Sequence, residues 1–192
     1  MTENQPENNI EKPAILYHGS PHSDIEELEP RSKSHRDPKE GPLVFASPDL
    51  ATASIFLLDG VSESGFFNNV PYAIIVGPRE EFVKKDHGGH IYVLPGDTFI
   101  NDPNKGLGKY EWTSKEKVKP KEVIEYKSSL DATIENGIQV YFISETIYDD
   151  IQNSEDHGLK ILSDLESENQ RRGMNVKKIV EKQDKNKKNI KV

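Results

Sequence analysis

The segment LVFASPDLATASIFLL (residues 43–58) combines a short strand with a helix and decides the fold class. Its first four residues are apolar, which is typical of a buried strand. Ser47 and Pro48 then predict a helix start. Ser47 is a favoured N-cap, and a proline at the first helical position has no N–H to leave unpaired. Apolar residues continue to Leu58, so we expect the helix to end about there.

Other apolar runs predict further strands without a regular alternation of strands and helices. They are rich in β-branched and aromatic residues, and Gly or Pro stands near the end of most of them. The runs are 14–17, 72–76, 90–94, 121–126 and 138–143. The stretch 128–136 predicts a short helix that stops at Gly137, whereas 18–21 and 86–89 predict turns. This order favours a mixed, strand-rich α+β domain, and the chain has no Rossmann or Walker fingerprint.

Composition indicates one ordinary core with polar segments outside it. Of the 192 residues, 33% are hydrophobic and 30% are charged. Even with glycine added, the apolar share is below the roughly 45–50% of a typical domain. We expect a disordered leader (1–12), an ordered domain (13–148), a polar and partly helical extension (149–172), and a Lys-rich disordered tail (173–192).

Charge is distributed unevenly along the chain. Residues 171–192 contain nine Lys/Arg and two Asp/Glu, which gives a charge of +7. Since the net charge of the chain is −8, the first 170 residues carry −15. A nucleic-acid-binding domain normally has a basic stripe, so a protein or small-molecule partner is favoured. No apolar stretch approaches the ~18 residues of a membrane span, and 1–12 lacks signal-peptide features. With no cysteine either, we expect a cytoplasmic protein without membrane association.

Three clusters contain residues that could perform chemistry. In Tyr17-His18-Gly19-Ser20, an imidazole nitrogen and an unshielded glycine backbone could form a polar shelf. Phe45 and Phe56, 11 residues apart, could hold a flat heteroaromatic ligand between their rings. Glu111, before Trp112, could stabilise a developing oxocarbenium ion. Each cluster also has a purely structural interpretation. The first would be an ordinary turn after a strand, the second two Phe rings in the core, and the third an exposed Glu beside a core Trp.

In this order, the three clusters resemble the ADP-ribosyltransferase superfamily. The resemblance is to its poly(ADP-ribose) polymerase and diphtheria-toxin-like branch, the His-Tyr-Glu type, and it covers residues 15–126 with 138–143 as a closing strand. It implies an ADP-ribosyltransferase-like fold with two short packed sheets. It also implies that NAD is the substrate, bound in a cleft between them.

The resemblance also implies a role for each site residue. His18 and Glu111 would be catalytic. His18 would form a hydrogen bond with a ribose hydroxyl of NAD. Glu111 would hold the 2′-hydroxyl of the nicotinamide ribose and stabilise the oxocarbenium-like transition state as nicotinamide leaves. Gly19 would offer its backbone to the carboxamide. The other cofactor-binding candidates are Ser20, Arg31 near the diphosphate, Phe45 and Phe56 beside the nicotinamide, and Ser54, with Thr52 as the alternative to Ser54.

The chain departs from the family pattern at several positions. Relatives usually have Tyr where Phe45 and Phe56 stand. Lys109 stands two residues before Glu111, so the Glu-x-Glu pattern of arginine-modifying relatives is missing. The expected activity is nicotinamide release with transfer of ADP-ribose to an unknown acceptor or water. The alternatives are a non-catalytic nucleotide-binding or protein-interaction module, and an RNA 2′-phosphotransferase-like enzyme. No metal site is expected.

Overall fold

The computed structural model describes residues 11–31, 37–171 and 179–182. Within them it has a mixed, strand-rich α+β architecture, which confirms the predicted fold class. The strands are β1 (Ile15–Ser20), β2 (Val44–Ala46), β3 (Val61–Phe67), β4 (Val70–Val76), β5 (Gly89–Pro95), β6 (Ile100–Asn101), β7 (Trp112–Ser114), β8 (Glu122–Tyr126), β9 (Gln139–Ile143) and β10 (Ile179–Lys182). The α-helices are α1 (Leu50–Ser54), α2 (Arg79–Lys85), α3 (Ser129–Glu135), α4 (Glu145–Gln152) and α5 (Leu159–Arg171). Two 3-10 turns cover Ile55–Leu57 and Gly108–Tyr110.

The described strands form three small sheets instead of the two predicted. Their orders are β1-β5-β8, β2-β7-β6 and β10-β9-β4-β3. The first two are antiparallel, whereas β9 runs parallel to both β4 and β10. The first two sheets meet at one bridge, in which Tyr17 and Ser47 exchange backbone hydrogen bonds of 2.7 and 2.8 Å. The number differs because the chain makes only this one bridge between β1 and the segment after β2.

Strand β9 is the centre of the third sheet and is buried along its whole length. Tyr141 and Ile143 pack in the cluster that includes residues of α4 and α5. Val140 and Phe142 pack in the cluster that includes residues of α3 and the 3-10 turn Ile55–Leu57. A parallel strand covered on both faces reads as an unbroken apolar run, which explains why 138–143 was a clear strand prediction.

The strand-to-helix corner at 43–58 forms as predicted, but the helix begins two residues later. Asp49 is the N-cap, and its carboxylate accepts hydrogen bonds from the Thr52 backbone N–H at 3.0 Å and the Thr52 hydroxyl at 2.6 Å. Ser47 as N-cap is therefore wrong, because its backbone is held in the bridge to Tyr17. The helical segment ends at Leu57 with Leu58 as its C-cap, close to the expected end.

Strand β1 continues through His18-Gly19-Ser20, where a turn was predicted. Ladder pairs as far as Ser20 with His90 hold this stretch in the sheet. Gly19 fits for a steric reason, because a Cβ there would overlap the carbonyl oxygen of Ala53 in α1. The close crossing of α1 over β1 brings the corner and the His-Gly strand together.

The C-terminal part differs from the predicted organisation in two places. Helix α4 crosses the expected boundary at 148/149, and buried residues of α4 and α5 join the core. Residues 179–182, within the expected disordered tail, form β10 beside β9. The predictions for 1–10, 172–178 and 183–192 concern residues outside the described ranges.

Candidate functional site

A cavity of about 400 Å³ brings most of the predicted site residues together. Its volume falls within the roughly 300–1,000 Å³ of small-molecule sites. The cavity, called the cleft below, is formed by β1, the corner at 43–58 and the segment before β7. The residues that matter chemically are His18, Gly19, Phe45, Thr52, Phe56 and Glu111.

His18 is held in a defined orientation by the neighbouring strand. Its Nδ1 lies 2.7 Å from the carbonyl oxygen of Phe45. A carbonyl only accepts, so Nδ1 carries the proton, and in the neutral ring Nε2 is a hydrogen-bond acceptor. Burial lowers the pKa of His18, the bond to Phe45 raises it and the charge of Arg31 lowers it, and the net shift is downward. The ring is therefore neutral near pH 7, with Nε2 able to accept a hydrogen bond from a ligand hydroxyl.

The two phenylalanines lie in different environments at the cleft. Phe45 is partly buried between β1 and β7, whereas Phe56 is 55% exposed. Large exposed rings at a cavity edge are suited to stacking on a flat ligand. The interpretation of Phe56 as an ordinary core residue is therefore wrong.

Of the two hydroxyl residues considered for the ligand site, Thr52 and Ser54, only Thr52 faces the cleft. Thr52 lines the cleft, although its hydroxyl also caps α1 through Asp49. Ser54 is fully buried, and its hydroxyl donates to the Ala51 carbonyl at 2.7 Å. Ser54 is not a cleft-lining residue, because the helical turn directs it into the core.

Glu111 follows the 3-10 turn Gly108–Tyr110 and lies at the start of β7. The pairing of Trp112 with Ala46 fixes where this strand begins. Asn101 supports the turn, since its Nδ2 donates to the carbonyl oxygens of Gly108 and Glu111, both at 2.7 Å. The Glu111 carboxylate lies against Gly106, where an added Cβ would overlap it. The backbone of the Gly-rich loop therefore contacts the predicted catalytic acid directly.

Ser20 and Arg31 line a second, smaller cavity of about 130 Å³. It shares His18 and Phe45 with the cleft, so the two cavities adjoin. Arg31 is tied by a backbone bridge to Leu43 and remains exposed. The Ser20 hydroxyl accepts a hydrogen bond from the His22 N–H at 3.1 Å, which gives it a local structural role as well.

Sequence reasoning did not single out Asn101, Gly106 or Leu107, and it included Tyr110 in the cluster around Glu111 without giving it a role. Leu107 and Tyr110 line the cleft, whereas Asn101 and Gly106 shape the loop that leads to Glu111. The signal available was the Gly-rich stretch 104–108 immediately before Glu111. A flexible composition so close to a candidate acid indicates that the backbone itself approaches the site.

Two further observations concern other classes of site. No group of three or more His, Asp or Glu side chains suited to a metal ion occurs in the described part of the chain. None of the helices in the described ranges is long and apolar enough to cross a membrane.

Comparison of the chain with protein-family models, with curated proteins and with solved structures gave no match. The geometry of the cleft and the motif resemblance are therefore the basis for the functional proposal.

Proposed function

We propose that the chain binds NAD in the cleft, releases nicotinamide and transfers ADP-ribose to an acceptor or to water. One observation supports this above all. His18, Phe45, Phe56 and Glu111 were selected from distant parts of the sequence, and all four line one cavity of suitable volume. We also propose that the reaction takes place in the cytoplasm, because a chain without cysteine fits a reducing compartment.

The residues present fit the parts of a dinucleotide. Nε2 of His18 is an acceptor for a ribose hydroxyl, and the backbone of Gly19 lies in the same cavity for a carboxamide. Phe45 and Phe56 offer apolar faces to a planar ring. Arg31, in the adjoining cavity, supplies positive charge for a diphosphate.

Glu111 would supply the electrostatic component of catalysis. When the bond between ribose and nicotinamide breaks, its electron pair leaves with neutral nicotinamide, and positive charge develops on the ribose. A carboxylate placed in the cleft stabilises that charge in the transition state more than in the ground state. The acceptor then forms the new bond to the same carbon and loses its proton.

The test is chromatographic measurement of nicotinamide released from NAD by the full chain. Glu111→Gln keeps the size of the side chain and removes its charge, so release should fall by about 10²–10³-fold. Glu116→Gln, at an exposed position five residues later, is the matched control and should retain activity. Equal activity in both variants would contradict the role of Glu111.

A second candidate is a non-catalytic nucleotide-binding module on the same fold. The observation that favours it is the contact of the Glu111 carboxylate with Gly106, together with the lack of hydroxyls on Phe45 and Phe56. Calorimetric NAD binding without nicotinamide release would favour this module. The RNA 2′-phosphotransferase alternative is disfavoured by the charge of −15 on the first 170 residues, which repels RNA. Removal of a 2′-phosphate from RNA in the presence of NAD would support it instead.

A further inference from the structure

A groove of about 560 Å³ adjoins the cleft at Tyr110, a residue that lines both cavities. The groove is formed by the β3–β4 hairpin, the residues before α1 and the end of α3. Its lining includes Phe66, Pro48, Pro71 and Asn136. Because Glu111 also lines the cleft, the groove adjoins the cavity that contains the predicted catalytic carboxylate.

We propose that this groove is the acceptor site and that it binds an uncharged peptide segment of a protein substrate. The inference rests on the proposed function, since an acceptor must reach the ribose carbon next to Glu111. It adds the class of acceptor, which the resemblance leaves open.

The first argument is the aromatic surface of the groove. The rings of Phe66 and Tyr110 are stacked, with their centroids 4.9 Å apart and their planes at 25°. Phe66 is nevertheless 38% exposed. With Pro48 and Pro71 close by, the pair presents a flat apolar surface of the kind that planar peptide groups and side chains cover.

The second argument is a buried donor without a partner. The side-chain Nδ2 of Asn136 is buried and has no hydrogen-bond acceptor among the described residues. Leaving a buried N–H unpaired is costly, and such groups are normally satisfied. Nδ2 itself has almost no exposed surface, but Asn136 lines the groove, so rotation of its side chain would present this donor to a ligand oxygen there.

The third argument concerns charge. The groove is lined by Asp49 and, in the part of the chain that the structure describes, by no Lys or Arg. Lys109 lies over the Tyr110 ring, with its Nζ 5.0 Å from the ring centroid, but it does not line the groove. A phosphate or carboxylate would meet the Asp49 charge without a compensating cation. The donor of Asn136 is therefore matched to a neutral carbonyl, and the acidic body disfavours nucleic acid.

The experiment uses the ¹⁵N-labelled full chain and follows the side-chain amide signals of Asn136 by NMR. The probes are the capped peptides acetyl-Gly-Asn-Gly-amide and acetyl-Gly-Asp-Gly-amide, which differ only in one charge, and the nucleoside uridine. We expect saturable shifts of the Asn136 signals with the Asn peptide, and an affinity at least about threefold weaker for the Asp peptide. Phe66→Ala should lower the affinity for the Asn peptide by about tenfold. Val83→Ala, at an exposed apolar position on α2, should leave this affinity unchanged.

The outcomes separate this proposal from the proposed function. Peptide shifts in a chain that releases no nicotinamide would support the groove as a peptide site and contradict the enzymatic function. Nicotinamide release with no peptide shifts at Asn136 would overturn the groove as acceptor site. Shifts with uridine alone, or tighter binding of the Asp peptide, would overturn the uncharged-peptide assignment.

Discussion

Two carboxylates, Asp86 and Glu111, follow short helical segments but are treated differently by the fold. Asp86 accepts hydrogen bonds of 2.8–3.2 Å from the N–H groups of Gly88, Ser129 and Leu130 and from the Ser128 hydroxyl. It thereby fixes the start of α3. Glu111 instead faces a cavity, next to a glycine loop. A carboxylate surrounded by protein donors stabilises structure, whereas one that lines a cleft can contact a ligand there.

The largest effect should come from Glu111→Gln. Nicotinamide release should fall by about 10²–10³-fold, because removing a transition-state charge stabiliser has an effect of that size. The free energy of unfolding, measured in urea, should change by less than about 1 kcal/mol, since Gln keeps the size of Glu and the substitution creates no cavity and no backbone strain. Strong destabilisation of this variant would show that Glu111 is structural, as Asp86 is, and would remove the contrast between the two.

The glycine loop gives a sharper test of the cleft. Gly106→Ala should lower nicotinamide release by about 10–100-fold, because the added Cβ displaces the Glu111 carboxylate and small misplacements of a catalytic group can have effects of this order. Gly41→Ala is the matched control. Gly41 has a similar positive φ of 76°, against 53° at Gly106, but nothing lies within 4 Å of its added Cβ.

Both glycine variants should lose roughly 1–2 kcal/mol of stability from the left-handed backbone. Activity should fall only in Gly106→Ala. Equal activity in the two variants would mean that the loop does not position the carboxylate.

Asp86 predicts the opposite pattern. Asp86→Ala should lower the free energy of unfolding by about 0.5–2 kcal/mol, the range for loss of a helix cap. Nicotinamide release by the folded fraction should stay unchanged. Asp164→Ala, at an exposed position on α5, is the control and should unfold as the parent does.

The pH dependence of the Asp86 contribution follows from its pKa. Burial raises the pKa of Asp86. The hydrogen bonds from Gly88, Ser129 and Leu130 together lower it by more than burial raises it, so the pKa lies below its ordinary value of 3.8. The stability from Asp86 is thus present above pH 3.8 and lost as the pH falls through the lowered folded-state value. The difference between parent and Asp86→Ala should shrink on acidification, and a difference that grows would contradict this assignment.

How much the sequence could reveal also differs between regions. The β9 strand and the end of the 43–58 corner were predictable, because their burial produces a simple apolar pattern. Strand β3 alternates partly buried and exposed residues and contains Ser, Glu and Gly. It was not predicted, because this composition is not typical of a strand. Helix α2 has no buried residue, and its position between 72–76 and 90–94 was missed for the same reason.

The site shows the same division. The residues His18, Phe45, Phe56 and Glu111 belong to short motifs that can be recognised in the sequence. All four line one cavity. The roles of Asn101 and Gly106 depend on contacts across a loop that no local pattern encodes. The displacement of the N-cap from Ser47 to Asp49 has a similar cause, since a bridge to the distant Tyr17 decides it.

The smallest expected effect concerns His18, whose protonation should tune NAD binding. Burial lowers the pKa of His18 below its ordinary 6.5, so at pH 6.5 the ring is neutral in more than half of the molecules, whereas an exposed histidine is half charged. The KM for NAD should therefore rise less between pH 7.5 and 6.5 than an ordinary histidine would make it rise, and more steeply at lower pH. Protonation of Nε2 removes one hydrogen-bond acceptor, a loss of about 0.5–1.5 kcal/mol or roughly 2–10-fold in affinity.

His18→Asn is the informative variant, because its amide can still donate to the Phe45 carbonyl but has no counterpart of Nε2. Its KM should be raised at pH 7.5 and should not rise further on acidification. The stability difference has a defined sign as well. A lowered folded-state pKa means that the His18 contribution is complete above pH 6.5 and is lost as the pH falls through the folded-state value. If the parent and His18→Asn instead show the same change in KM between pH 6.5 and 5, the cleft ring is not the group that binds the ribose, and the acceptor role of Nε2 fails.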